Sequence, residues 1–199
     1  MAPIQSILTD VVDQLDTTGT GALDVVSDHG VVASSRTYTR APGTGACTPS
    51  GTFGQDYGGV GASELLHSGD IAYLPQLRED AAFRTNIAVT NAGATPALVL
   101  IDLFDGAGTR LSTLVLAHPS GAYAQESRPF AYRAGRTDLD AAYARLAVIS
   151  GSGLLVSASV VANAPTPCRC CGDQALGGCP VAGHGRPRPV ADHLARFGE

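Results

Sequence analysis

Leu98-Val99-Leu100-Ile101-Asp102-Leu103-Phe104, then Asp105-Gly106-Ala107-Gly108, then Thr109-Arg110-Leu111-Ser112-Thr113-Leu114-Val115-Leu116-Ala117 is the stretch whose reading decides the fold. The first run is nearly all apolar, as expected for a strand buried in the interior of a β-sandwich. Asp-Gly and the second glycine tolerate the positive φ that tight hairpin turns need. The third run resumes a strand. Outward from this hairpin, further strand-like runs cover 22–27, 30–38, 85–91, 122–127, 144–150 and 154–163. In Asn86-Ile87-Ala88-Val89-Thr90 the period is two, with Ile87 and Val89 on one face.

Turn residues punctuate these runs. Asn91-Ala92-Gly93-Ala94-Thr95-Pro96 joins two strands, and His118-Pro119-Ser120-Gly121 and Ser150-Gly151-Ser152-Gly153 read as closing further hairpins. Strands at roughly ten-residue spacing, each pair joined by a tight turn, argue an antiparallel sandwich. Helical signals are few. Ile4, Ile7, Leu8, Val11, Val12 and Leu15 have helical spacing, which a strand plus a turn also fits. Asp138 is placed to cap a single turn over 138–143, and a short helix is expected near 191–197.

Composition agrees with an all-β chain. Hydrophobic residues make up 44% of the 199 and aromatics 6%, with 24 Gly, 12 Pro and no Trp, so the core is aliphatic and the turns are many. All basic residues are arginine, which reflects a GC-rich genome and not phosphate binding. The net charge is −5 with no basic stripe, which argues against a nucleic-acid partner. No apolar run reaches the ~18 residues a membrane helix needs, so no membrane span is expected. Met1–Gln5 lacks the basic start and apolar core of a signal peptide.

An internal echo bears on organisation. Leu23-Asp-Val-Val-Ser27 and Gly30-Val-Val-Ala-Ser34 align without a gap on Leu146-Ala-Val-Ile-Ser150 and Gly153-Leu-Leu-Val-Ser157, at an offset of 123 residues. The expected domains follow: residues 1–40 as the last strands of a partial sandwich unit, 41–69 as a Gly/Ser-rich connecting loop, 70–163 as a sandwich, and 164–199 as an irregular Cys/Pro/Arg-rich tail. Two or three strands cannot bury a core alone, so either strands lie upstream, and a signal peptide with them, or the N-terminal piece packs against the second unit.

Three segments carry a family resemblance: Ser35-Arg36-Thr37-Tyr38, Gly51-Thr52-Phe53-Gly54-Gln55, and Leu77-Arg78-Glu79-Asp80-Ala81-Ala82-Phe83-Arg84-Thr85-Asn86-Ile87. With Leu103–Thr109 and the ending Ser159-Val160-Val161-Ala162-Asn163, they resemble immunoglobulin-like repeat modules of large secreted or surface proteins of GC-rich bacteria, over residues 20–163. The resemblance implies a non-catalytic, extracellular or cell-surface module with an unknown protein or polysaccharide partner. After Asn163 the chain departs from that pattern. An Arg/Pro/Gly/Cys/His-rich stretch is what a GC-rich gene yields out of frame, so the tail reads as a non-native ending.

Candidate chemistry is sparse. Cys168, Cys170, Cys171, Cys179 and His184 are soft ligands that a zinc-dependent interaction tail would use, but they lack paired Cys-x-x-Cys knuckles. Cys47 stands alone in the Gly-rich loop. His29, His67 and His118 fall at turns and read as solvated. Asp102, Asp105, Asp138 and Asp140 are calcium-type oxygen ligands, with hairpin chemistry accounting for Asp105 and a helix cap for Asp138. Arg36 and Arg84 are expected to point outward or to pair with a carboxylate such as Glu79 or Asp80. Phe53 and Tyr57 are the aromatics that suit sugar stacking, the basis of an alternative reading as a carbohydrate-binding accessory domain of a secreted hydrolase. Gly19-Thr20-Gly21 is a turn, and no nucleophile elbow, zinc-protease helix or phosphate loop occurs. No catalytic residue, metal site or cofactor is assigned.

Overall fold

The computed structural model describes residues 6–19, 21–40, 52–163 and 195–198. Its centre is a two-layer antiparallel β-sandwich. Eight strands build it: β4 (Leu66–His67), β5 (Ile71–Glu79), β6 (Phe83–Asn91), β7 (Ala97–Asp105), β8 (Arg110–His118), β9 (Tyr123–Ser127), β10 (Leu139–Ser150) and β11 (Ser152–Ala162). One sheet has the order β5-β10-β7-β8 and the other β4-β11-β6-β9. The all-β sandwich expected from the sequence is the fold observed.

The hairpin over 105–109 forms as its chemistry requires. The Asp105 carboxylate accepts from the backbone amides of Ala107 and Thr109 at 3.0 and 2.8 Å. Gly108 takes φ 86°. β7 then alternates: Val99, Ile101 and Leu103 are fully buried between the sheets. Beside them in the same sheet are Ala144 and Leu146 of β10, and the opposite sheet contributes Ile87 and Val89 of β6 and Leu154 of β11. Burial of this contiguous aliphatic set is the main driving force for the fold.

The turn at 150–153 does not close a hairpin. β10 pairs with β5 and β7, while β11 pairs with β4 and β6. The chain crosses between sheets at Gly151 (φ 95°) and Gly153 (φ 81°). A Cβ on Gly151 would sit 2.5 Å from the Ala97 Cβ, so the crossing is pressed against the start of β7. In an immunoglobulin constant domain the last two strands share a sheet; here they divide between the two. The turns at 91–96 and 118–121 likewise carry the chain from one sheet to the other.

Other expectations need correction. The strand run 98–104 is interior on one face only, because Leu98, Leu100 and Phe104 alternate outward. Asp138 precedes β10 and residues 139–143 open it, so 138–143 is not a helical turn. Their backbone is held by antiparallel pairing with β5 and β7. The sandwich's helix lies just before, α2 (Pro129–Ala134), with Phe130 filling the end of the core at 0% exposure. Of the span 4–15 with helical spacing, the described residues 6–15 give one turn, α1 (Val11–Gln14).

The segment 41–69 is not all loop. It holds β3 (Thr52–Gly58), a 3-10 turn (Ala62–Glu64) and β4. β3 pairs antiparallel with β2 (Ser34–Arg40), and β1 (Leu23–Val26) pairs parallel with β12 (Ala195–Gly198). Residues 195–197, expected in a helix, are therefore in a strand; 191–194 and the rest of the tail from 164 lie outside the described residues. No described helix is long and apolar enough to cross a membrane.

Candidate docking surface

An antiparallel sheet with one face on the core ordinarily presents polar residues on the other. The β4-β11-β6-β9 sheet does so. Its outer face carries Asn86 and Thr90 of β6, Ser157 and Ser159 of β11, and Tyr123, Gln125 and Ser127 of β9, with Ala88, Leu155 and Val161 among them. These side chains bond one another: Tyr123 Oη donates to Gln125 Oε1 at 2.9 Å and Gln125 Nε2 to Ser127 Oγ at 3.2 Å.

The outer face of the β5-β10-β7-β8 sheet is built differently. Register places Ile71, Ala147, Leu100 and Val115 in one row across the four strands, and Tyr143, Phe104 and Arg110 in another. Leu98 and Ala117 form a further row, with Ile149 at the bulge beside them. Ile71, Tyr73, Val115 and Ile149 are 48, 61, 62 and 50% exposed. Phe104 and Tyr143 stack with ring centroids 4.7 Å apart. Exposed apolar rows of this kind are unusual on a face left to water and mark interaction sites.

One ionic cluster sits in the middle. Asp102 lies on the outward side of β7 yet its side chain is only 4% exposed, because its neighbours cover it. Thr113 Oγ1 donates to it at 2.6 Å, Arg145 Nη1 at 3.2 Å, and Arg110 Nη1 approaches to 3.7 Å. Two guanidiniums on one carboxylate leave the face one positive charge in excess, with the Arg110 side chain 64% exposed. At the edge of the face an open groove of about 570 Å³ runs between Pro75, Gln76 and Tyr143 to Phe83. The Arg78 guanidinium lies 4.4 Å above the Phe83 ring.

The remaining sequence candidates are scattered over the fold. Asp105 holds the hairpin. Asp138 is bonded by Arg136 at 2.7 Å, which with the arginine's charge lowers its carboxyl below the usual range. Asp140 is exposed at the groove. Among the described residues no three His, Cys, Asp or Glu side chains lie together as a metal-binding group. His29 bonds Asp28 at 2.6 Å, and His67 is exposed.

His118 is not solvated: it is 3% exposed, and burial lowers its pKa from 6.5. Arg36 approaches Asp56 at 3.5 Å. Arg84 bonds Asn163 at 3.3 Å and neither Glu79 nor Asp80. Asp80 instead accepts from Arg78 at 2.6 Å. Phe53 and Tyr57 lie on β3, paired in register with Thr39 and Ser35 of β2. Cys47, Cys168, Cys170, Cys171, Cys179 and His184 lie outside the described residues.

Sequence reasoning missed Ile71 and Tyr73 because Pro75 hid β5. The signal for the face was nonetheless present: 98–104, 109–117 and 144–150 are apolar at both odd and even positions, which a half-solvated strand does not need. No known family model matches the chain, and no curated protein or solved structure is significantly similar to it.

Proposed function

We propose that this chain is a non-catalytic structural or binding module of a larger extracellular bacterial protein, and that it docks a partner through the outer face of its β5-β10-β7-β8 sheet. The observation that carries the reading is the asymmetry of the two outer faces, one mainly polar and the other mainly apolar around a cationic centre. The non-catalytic part is supported by the polar residues themselves. Asp102, Asp105, Asp138 and Glu79 each serve a structural partner, and His118 is enclosed.

Hydroxyl-radical footprinting tests it. Labelling of Tyr73, Tyr143 and Ile149 is compared between the purified chain and the intact envelope of the producing cell. Protection of these three in the envelope, with Tyr132 on α2 labelled equally in both, is expected. Equal labelling of the face in both settings contradicts the reading.

A further inference from the structure

Along β11 the sandwich leaves a strand flank uncovered. One side of β11 pairs with β6 over Leu154–Ala162, but on the other side β4 reaches only Ser152 and Leu154. Among the described residues no strand flanks 155–162 there. Bonds at the two ends of β11 fix the direction of its backbone groups. The Gly153 carbonyl accepts from Ala92, and the Asn163 amide donates to Ala82, so odd-numbered residues turn toward β6 and the turn before it. Val156, Ala158, Val160 and Ala162 therefore turn their amides and carbonyls to the uncovered side. A flank of this kind is a template for strand addition. It adjoins the 570 Å³ groove, which Val160, 38% exposed, lines with Leu77 and Phe83.

The chain itself indicates what fits there. At the offset of 123 residues, Ala33, Ser35, Thr37 and Thr39 align on Val156, Ala158, Val160 and Ala162. The strand that holds the last three of them, β2, has a neighbour: β3 runs antiparallel beside it, with Ser35 opposite Tyr57 and Thr37 opposite Gln55. The Ala33 carbonyl accepts from the Gly59 amide at 2.9 Å. Ala33, Ser35, Thr37 and Thr39 are thus the residues that turn toward β3. The side of β2 that β3 covers is the side of β11 that stands open.

We propose that the uncovered flank of β11 accepts an antiparallel strand of β3's make-up, brought by a neighbouring repeat of the same kind and held in the register of the β2–β3 pair. That register sets the Gln55 equivalent opposite Val160 and the Tyr57 equivalent opposite Ala158. Asp56, the one charge of β3, would fall opposite Ser159, and β11 carries no charge to repel it. The added strand covers Val160 and the adjoining part of the groove. The proposal rests on the reading of the chain as a module of a larger protein, but not on the outer face of the other sheet.

Residue-resolved hydrogen exchange of the full chain tests it, with and without a synthetic peptide of residues 50–59. The peptide is used at about 1 mM, the effective concentration that a short linker supplies. Exchange at the amides of Val156, Ala158, Val160 and Ala162 should slow about tenfold or more. The amides of 155, 157, 159 and 161, turned toward β6, should keep their rates. Gln55→Pro in the peptide removes the amide that meets the Val160 carbonyl and should abolish the slowing. Val160→Pro in the chain should abolish it too, and unchanged protection at 155, 157, 159 and 161 shows that the variant is folded. Unchanged exchange at the four amides overturns the proposal, as does equal slowing by the Gln55→Pro peptide. Slowing confined to 113–117 of β8 also overturns it, by moving strand addition to that edge. Footprinting of the outer face reads a different surface, so either result can fail without the other.

Discussion

Glu79 offers a perturbation whose sign and size follow from the structure. It sits on β5 at 0% exposure. Its Oε1 accepts the amide of Ala131, in α2, at 2.9 Å. Its Oε2 is buried with no hydrogen-bond partner. Burial raises its pKa from 4.5 against the opposing pull of the Ala131, Phe130 and Thr85 backbone and the Arg128 charge. The folded state therefore holds this proton more tightly than the unfolded chain. The stability it contributes is full below about pH 4.5, declines as the pH rises through the elevated folded value, and is level above it.

Glu79→Gln keeps a carbonyl to accept from Ala131 and removes the charge. The stability difference, variant minus native, should thus shift in the variant's favour as pH rises from 4.5 to 8. Taking the difference cancels Asp80 and Asp138, whose lowered values act at the acid end, and His118, whose lowered value acts near neutrality. Glu79→Ala leaves the Ala131 amide without its acceptor and should cost about 1–3 kcal/mol at pH 5. Urea unfolding followed by circular dichroism across this range measures both. Parallel curves for native and Gln protein at every pH would refute the reasoning, as would a cost-free alanine.

Ile101→Ala should cost about 2–5 kcal/mol in the same unfolding assay, since its side chain fills the inter-sheet core, while Ile149→Ala on the exposed face should stay within about 1 kcal/mol. Gly151→Ala places a Cβ against Ala97 at positive φ, and should destabilise by more than the roughly 1 kcal/mol of backbone strain alone, read as a lowered urea midpoint. Retention on a polysaccharide column, if any, should persist in the Phe53→Ala, Tyr57→Ala double variant; its loss would favour the carbohydrate-binding alternative.

The parts of the fold legible in the sequence are those decided locally. Asp105 and Gly108 specify a hairpin within five residues, and Ile87 and Val89 mark an inner face by period two. β5 was hidden because its hold comes from pairing with β10 more than 60 residues on, which overrides Pro75. The Gly151–Gly153 link looks like a hairpin turn because both use positive-φ glycines; only packing against Ala97 and Gly93 sends the chain to the other sheet. Glu79 reads as a surface charge until α2, 52 residues later, arrives to meet it. The apolar outer face left a sequence trace, but a run apolar on both sides looks the same whether its second face meets a core or a partner.

These strands bury one apolar face and leave another open. Methyl NMR of the isolated chain with a soluble paramagnetic probe measures this residue by residue. Strong relaxation of the Ile71, Val115 and Ile149 methyls, with Ile101, Leu103 and Leu146 shielded, is predicted. Comparable shielding of both sets in the monomeric chain would contradict it.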